Sequence, residues 1–415
     1  MSKLEVEGMH RLDGEVRVQG SKNAVLPILS ACVLNEGETI LQGCPKIRDV
    51  SSMLEALESA GAKANWEKDI LRLDTSVMEP VPFIEKAGHM RSSVMLLGSF
   101  LARFGKATLG YPGGCCIGTR PIDLHEQALA AMGAVFCEEE THLKARCMRL
   151  EGCDLYLPYP SVGVTENVLL AAAKASGMTR IYGAAKEPEI IELCRFLTAM
   201  GVRIYGIGTE KLSVMGGRLK KHLEYRICPD RIVAGTYLFA AVAAGGDVIL
   251  KDVPLEHMKS TIQTVGRLGA AMHRDGNDIR IQMKKKPHGL PYLRTAPFPG
   301  FPTDLQSPLL AALCKADCPS RVEESVFENR FLIVEELKKM GAAVEIEKQT
   351  AFITPAERLL GDDLSARDLR GGAALVIAAL EAEGTSVIHN AEIISRGYEN
   401  IVGDLQALGA VIKHR

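Results

Sequence analysis

The sequence predicts an α/β protein of two domains, each built from three repeated units in which buried helices are surrounded by sheets. Three observations lead there. A helical stretch followed by glycine, a small residue and a strand-like run recurs at Gly61, Gly133, Gly201, Gly269, Gly341 and Gly409, spaced 72, 68, 68, 72 and 68 residues apart. Upstream of most of these glycines stands an apolar helix running into a short strand. Its copies are Leu26 to Gln42, Val94 to Leu109, Val168 to Tyr182, Thr236 to Leu250, Leu309 to Val322 and Ala373 to Ile388. These helices are apolar on nearly every face, which is the pattern of burial on all sides and not of a surface helix. Finally, 415 residues exceed what one ordinary hydrophobic core organises.

Each recurring glycine fits the left-handed position that ends a helix. The alternating residues that follow, such as Ala343-Val344-Glu345-Ile346-Glu347, suit a half-buried strand. Six units of this size divide into two three-unit domains, residues 21–228 and 229–415. The strand-like opening Lys3 to Gln19 has no helix ahead of it, so residues 1–20 are expected to complete the second domain. The chain would then cross near Gly20-Ser21 and again near Cys228-Pro229-Asp230, which predicts a hinge with a substrate cleft between two globules. Lys284-Lys285-Lys286-Pro287-His288-Gly289 reads as a solvated connector, because three adjacent lysines without aromatics make a poor nucleic-acid signal.

Composition narrows the function. The 49 basic and 51 acidic residues leave a formal charge of −2, so no global field recruits nucleic acid or an anionic membrane. No apolar run approaches the ~20 residues that span a bilayer. The eleven cysteines are odd in number, scattered, and not preceded by a signal-like segment, which predicts a reducing, cytoplasmic setting. No metal is expected: the ten histidines are dispersed, and Cys314 and Cys318, though spaced to chelate, lack a second pair. The sequence sets no oligomeric state.

Chemistry concentrates in Gly110-Tyr111-Pro112-Gly113-Gly114-Cys115-Cys116-Ile117-Gly118-Thr119-Arg120-Pro121-Ile122-Asp123. Four glycines and two prolines in this span cannot continue a helix or a central strand, so a loop is required. Arg120 adds a planar cationic fork for a phosphate or carboxylate, and a thiol beside fixed positive charge ionises more readily. The loop therefore reads as a reactive cysteine at an anion site, against the alternative of a tight turn whose cysteines are small buried hydrophobes.

This loop and several flanking phrases resemble the enolpyruvyl transferases along the whole chain. The matching phrases are Gly20-Ser21-Lys22-Asn23-Ala24, Met90-Arg91-Ser92-Ser93, Pro112 through Asp123, Ser161-Val162-Gly163, Glu187-Pro188-Glu189 and Pro229-Asp230-Arg231. They continue with Phe301-Pro302-Thr303-Asp304, Phe327-Glu328-Asn329-Arg330, Asp368-Leu369-Arg370 and Arg396-Gly397-Tyr398-Glu399. The resemblance implies two inside-out, barrel-like α/β domains, each of three copies of a four-stranded, two-helix unit. It also implies transfer of the enolpyruvyl group of phosphoenolpyruvate to the 3′-hydroxyl of UDP-N-acetylglucosamine with release of phosphate, at the start of bacterial peptidoglycan synthesis and without a cofactor. The rival readings are the shikimate-pathway relative, which lacks the cysteine loop, and an idle paralogue that binds nucleotide sugar and regulates wall synthesis. Intact Lys22, Cys115, Asp304 and Arg396 argue against idleness.

Residue roles follow from the same resemblance. Cys115 is the expected proton donor and Cys116 its bystander, since adjacent side chains point in different directions and only one is expected to face the cleft. Lys22, Asn23, Arg120, Arg330, Arg370 and Arg396 are expected to hold phosphoenolpyruvate, with Lys22 and Arg396 also counted as catalytic. Read without the resemblance, an aspartate such as Asp304 at the start of a buried helical segment is more commonly a helix cap; the resemblance reverses that preference and makes it the expected base for the sugar hydroxyl. Arg91, Arg120, Pro121, Ile122, Asp123, Leu124, Ser161, Val162, Gly163, Asp304 and Val326 are expected to contact the nucleotide sugar. Tyr159-Pro160 departs from members that carry a basic residue near the diphosphate. Glu187, Asp230, Arg231 and Asp368 are expected to hold the cleft together.

Overall fold

Six helices are too apolar to face water on any side, and each is buried along most or all of its length: Lys22–Cys32, Leu96–Phe104, Val162–Ala172, Arg231–Ala244, Gln306–Leu313 and Leu369–Glu381. They come from a computed structural model that describes residues 2–83, 91–111, 118 and 121–415. Each of the six apolar stretches in the sequence overlaps one of these helices and runs into a strand. The chain forms two compact units, one containing residues 1–19 and 229–415, the other 20–114 and 120–228.

In the first unit, helices Arg231–Ala244, Gln306–Leu313 and Leu369–Glu381 pack on one another at the centre. All eight residues of the middle helix are buried, Leu309, Leu310 and Leu313 completely. Truncating one such leucine to alanine removes its transfer energy and leaves a cavity, a cost of about 2–5 kcal/mol. Three four-stranded sheets belong to this unit. In one of them Lys3–Glu7 lies between Thr385–His389 and Val411–His414, antiparallel to both. Leu12–Arg17 runs parallel to Gly246–Lys251 in a second, so the start of the chain supplies strands to two sheets.

The other unit centres on helices Lys22–Cys32, Leu96–Phe104 and Val162–Ala172. It carries two four-stranded sheets and a three-stranded one to which Phe83 adds a parallel bridge at Leu109. Among the described residues the sheets are open and none closes into a barrel.

The recurring glycines show why the periodic phrase exists. Gly61, Gly133, Gly201, Gly269, Gly341 and Gly409 all have φ between +92° and +119° and lie just past the end of a helix. A side chain is strained at such φ, so glycine lets the helix stop and the chain turn into the next strand. The three lysines at 284–286 are exposed between strands Asp278–Met283 and Leu293–Arg294. Among the described residues no helix is long and apolar enough to cross a membrane.

Candidate active site

Asp304 sits in the single turn Thr303–Leu305 ahead of helix Gln306–Leu313. The N-cap of that helix is Leu305, one residue further on, so the aspartate is out of register for capping it. Its carboxylate holds two guanidinium groups instead. Arg330 Nη2 donates to Oδ1 at 2.6 Å, and Arg370 Nη2 and Nε donate to Oδ2 at 3.0 and 3.3 Å. Both arginine side chains are almost fully buried, 3% and 4% exposed, while the aspartate is 27% exposed. One carboxylate is thus shared between two guanidinium groups. Among the described residues, Arg370 Nη1 is buried without a hydrogen-bond partner. A buried orphan donor on a guanidinium suits an anionic ligand. Burial alone would lower the Arg370 pKa, but Asp304, with Tyr398 and Asp230, more than offsets this and raises it.

Neighbouring groups fix this geometry. The buried Glu324 carboxylate accepts from Thr303 Oγ1 at 3.0 Å and from the backbone N–H groups of Val326 and Phe327 at 2.8 and 3.2 Å. It thereby ties the Asp304 turn to the segment leading to Arg330. Asp368 caps helix Leu369–Glu381 by accepting from the N–H groups of Arg370 and Gly371, so Arg370 is the second residue of a rigid helix. Its guanidinium lies over the ring of Tyr398, 5.6 Å from the centroid. The Tyr398 hydroxyl is 2.8 Å from Thr236 Oγ1, which itself donates to Ile232 O, so the tyrosine is the donor to the threonine.

In the other unit, Lys22 opens helix Lys22–Cys32, capped by Ser21 Oγ, and its ammonium is paired with the buried Asp49 at 2.8 Å. Asn23 follows, half-buried. Arg91 Nη2 donates to Pro121 O at 3.3 Å, and Asp123 and Leu124 begin helix Asp123–Ala131 with Ile122 at its N-cap. Ser161 Oγ caps helix Val162–Ala172 by accepting from Val164 N.

Residues 6–405 match the EPSP synthase (3-phosphoshikimate 1-carboxyvinyltransferase) family. The chain belongs to that family of enolpyruvyl transferases. Within it, the chain is 43% identical over 414 residues to UDP-N-acetylglucosamine 1-carboxyvinyltransferase 2 of Caldanaerobacter subterraneus subsp. tengcongensis, covering 99% of each. It is 41% identical to the UDP-N-acetylglucosamine 1-carboxyvinyltransferase of Halothermothrix orenii, covering 100% of this chain and 99% of that one. In fold it is similar to the enolpyruvyl transferase NikO from Streptomyces tendae, with a TM-score of 0.90 at 23% identity over 100% and 99% of the two chains. An EPSP synthase from Acinetobacter baumannii gives 0.79 at 19% identity over 100% of both.

Set against the expectations for an enolpyruvyl transferase, the described residues fall into three groups. Asp304, Arg330 and Arg370 form one cluster, with Val326 on the segment that Glu324 anchors. Arg396 ends the short helix Ala391–Arg396, two residues before Tyr398, and is half-buried. Lys22, Asn23, Arg91, Pro121 to Leu124 and Ser161 to Gly163 belong to the other unit. Cys115, Cys116 and Arg120 lie outside the described residues. Asp230, like Asp368, is a helix cap: its carboxylate accepts from Ile232 N and Val233 N. Glu187 is the N-cap residue of helix Pro188–Met200, and Glu187 and Glu189 add to burial in raising the Glu166 pKa well above its ordinary value. Reading the sequence missed Asp49, Glu324 and the Tyr398–Thr236 link. Tyr398 stands within a matching phrase, but nothing in its spacing points to Thr236, 162 residues away.

Proposed function

We propose that this enzyme transfers the enolpyruvyl group of phosphoenolpyruvate to the 3′-hydroxyl of UDP-N-acetylglucosamine and releases phosphate, acting as a UDP-N-acetylglucosamine 1-carboxyvinyltransferase. The observation that carries the reading is identity of 41–43% across essentially complete chains with relatives bearing that name, against 19% with an EPSP synthase. The reaction is the committed entry to peptidoglycan synthesis, and we place it in the cytoplasm. We also infer that six copies of one strand-and-helix unit, three to a domain, make up the chain, with domains 21–228 and 229–415 and residues 1–20 completing the latter.

The chemistry follows from the substrate. A proton adds to the methylene carbon of the enol phosphate while the sugar oxygen, losing its own proton, bonds to the neighbouring carbon; the C–O bond to phosphate then breaks as a proton leaves the new methyl group, which restores the carbon–carbon double bond. Cys115 supplies the proton. Lys22, Asn23, Arg120, Arg330, Arg370 and Arg396 hold the carboxylate and phosphate while the central carbon passes through cationic and tetrahedral stages. Asp304 takes the hydroxyl proton. Both its oxygens accept guanidinium N–H groups, which stabilise the carboxylate and weaken it as a base. The anions of phosphoenolpyruvate compete for the same arginines, which loosens their hold on the carboxylate and strengthens it as a base. Arg91, Arg120, Pro121, Ile122, Asp123, Leu124, Ser161, Val162, Gly163, Asp304 and Val326 receive the nucleotide sugar.

Phosphate release from phosphoenolpyruvate, measured with UDP-N-acetylglucosamine and separately with shikimate 3-phosphate, tests the reading. Turnover with the nucleotide sugar alone is expected. Turnover with shikimate 3-phosphate would assign the sister reaction, and turnover with neither would favour the binding-only regulator.

A further inference from the structure

Within the unit of residues 20–114 and 120–228, one buried amide lies on the helix that follows Ser161 and is bonded to the elements carrying two other stretches proposed to receive the nucleotide sugar. Asn167, on helix Val162–Ala172, is completely buried. Its Nδ2 donates to Val94 O at 2.8 Å and bonds His125 Nδ1 at 2.9 Å, while its Oδ1 accepts from Gly98 N at 2.7 Å. The backbone partners leave no choice of orientation. Turning the amide over would set its oxygen against Val94 O and its NH₂ against Gly98 N–H. The second N–H of Asn167 therefore points at His125, so Nδ1 is the acceptor and the imidazole proton resides on Nε2.

Val94 lies in the short helix Arg91–Met95, which carries Arg91. His125 is the residue after Leu124 in helix Asp123–Ala131. Its ring abuts the first turn of the Asn167 helix: a Cβ on Gly163 would come within 3.2 Å of Cε1 and 3.4 Å of Nε2. We infer that His125, joined to Asn167 and seated against Gly163, is a positioning residue that sets the spacing of the 91, 121–124 and 161–163 stretches and so tunes affinity for the nucleotide sugar. The inference rests on the function proposed above. Consistent with the assigned tautomer, burial, followed by the nearby Arg91 charge, pulls the His125 pKa down to about 4. The ring is thus neutral at physiological pH, and its part is geometric.

Steady-state phosphate release with each substrate varied in turn tests this. His125→Leu keeps bulk and removes the acceptor. It is expected to raise KM for UDP-N-acetylglucosamine about tenfold, the effect of one lost buried hydrogen bond, while KM for phosphoenolpyruvate and kcat stay within about twofold. His125→Gln offers Oε1 to the same Asn167 N–H and is expected to recover most of that loss. Gly163→Ala presses a methyl on the ring and should show the same split, with a smaller penalty in a His125→Ala background, where the ring is absent. If His125→Leu fails to fold, His125→Gln and the comparison of Gly163→Ala in the wild-type and His125→Ala backgrounds carry the test. Equal increases in both KM values, a change in kcat alone, or Gln no better than Leu would overturn the positioning role while leaving the proposed reaction standing. A wild-type enzyme inactive with UDP-N-acetylglucosamine would overturn both.

Discussion

Replacing Asp304 with asparagine puts the arginine cluster to a quantitative test. The substitution keeps the size of the side chain and removes the negative charge shared by Arg330 and Arg370, whose side chains are 3% and 4% exposed. Removing one partner of a buried ion pair costs about 3–5 kcal/mol, because the remaining charge stays out of water. Water reaches Asp304 itself, 27% exposed, so the lower end of the range applies and a loss of about 3 kcal/mol is expected. In urea this lowers the unfolding midpoint of the unit by about 1 M, for a slope of about 2–3 kcal/mol per M. The same substitution leaves two guanidinium groups for an incoming anion. Inorganic phosphate or phosphoenolpyruvate should therefore raise the midpoint of Asp304→Asn more than that of the wild type. Transfer activity should fall by two orders of magnitude or more with loss of the base, as removal of a general base typically costs about 10²–10⁴. A midpoint equal to or above the wild type's, or anion stabilisation no greater in the variant, would refute the clamp.

Three further outcomes are expected. Cys115→Ser should lose transfer by about 10²–10⁴ in kcat, whereas Cys116→Ser keeps most of it, and the reverse order in a phosphate-release assay would reassign the acid. Tyr398→Phe removes the hydroxyl donated to Thr236 but keeps the ring under Arg370; it should cost about 1 kcal/mol of stability in urea and raise KM for phosphoenolpyruvate several-fold. Burial, partly offset by Lys315 and then Lys286, pushes the Glu381 carboxyl from its ordinary 4.5 up to about 8. Between those values the folded chain holds a proton that the unfolded chain has released, so this contribution is complete below about pH 4.5 and is lost as pH rises through about 8. Glu381→Gln should flatten that decline, and thermal melts across the window check it.

The helices and their stops were legible because both are local. A stretch such as Ala373 to Leu380 has no polar face to offer water, and Gly201 or Gly409 ends a helix where a side chain would be strained. The partners of Lys3–Glu7 were not legible, since pairing with Thr385–His389 and Val411–His414 joins opposite ends of the chain. The site divides in the same way. Motif phrases brought Asp304, Arg330 and Arg370 onto one short list, but not the fact that the aspartate grips both arginines. Spacing alone allowed Asp304 to be a cap; the one-residue offset that makes Leu305 the cap residue is visible only in three dimensions. Glu324 and Asn167 looked like ordinary polar residues in sequence. Their importance comes from backbone groups they hold at other points of the chain, Val326 and Phe327 for one, Val94 and Gly98 for the other.

The most direct test of the account is mass spectrometry of the nucleotide sugar after incubation with enzyme and phosphoenolpyruvate. The account predicts that UDP-N-acetylglucosamine gains one enolpyruvyl group with one phosphate released per product, and that an acceptor lacking the 3′-hydroxyl gains none. An unchanged nucleotide sugar, or an adduct formed without that hydroxyl, would contradict it.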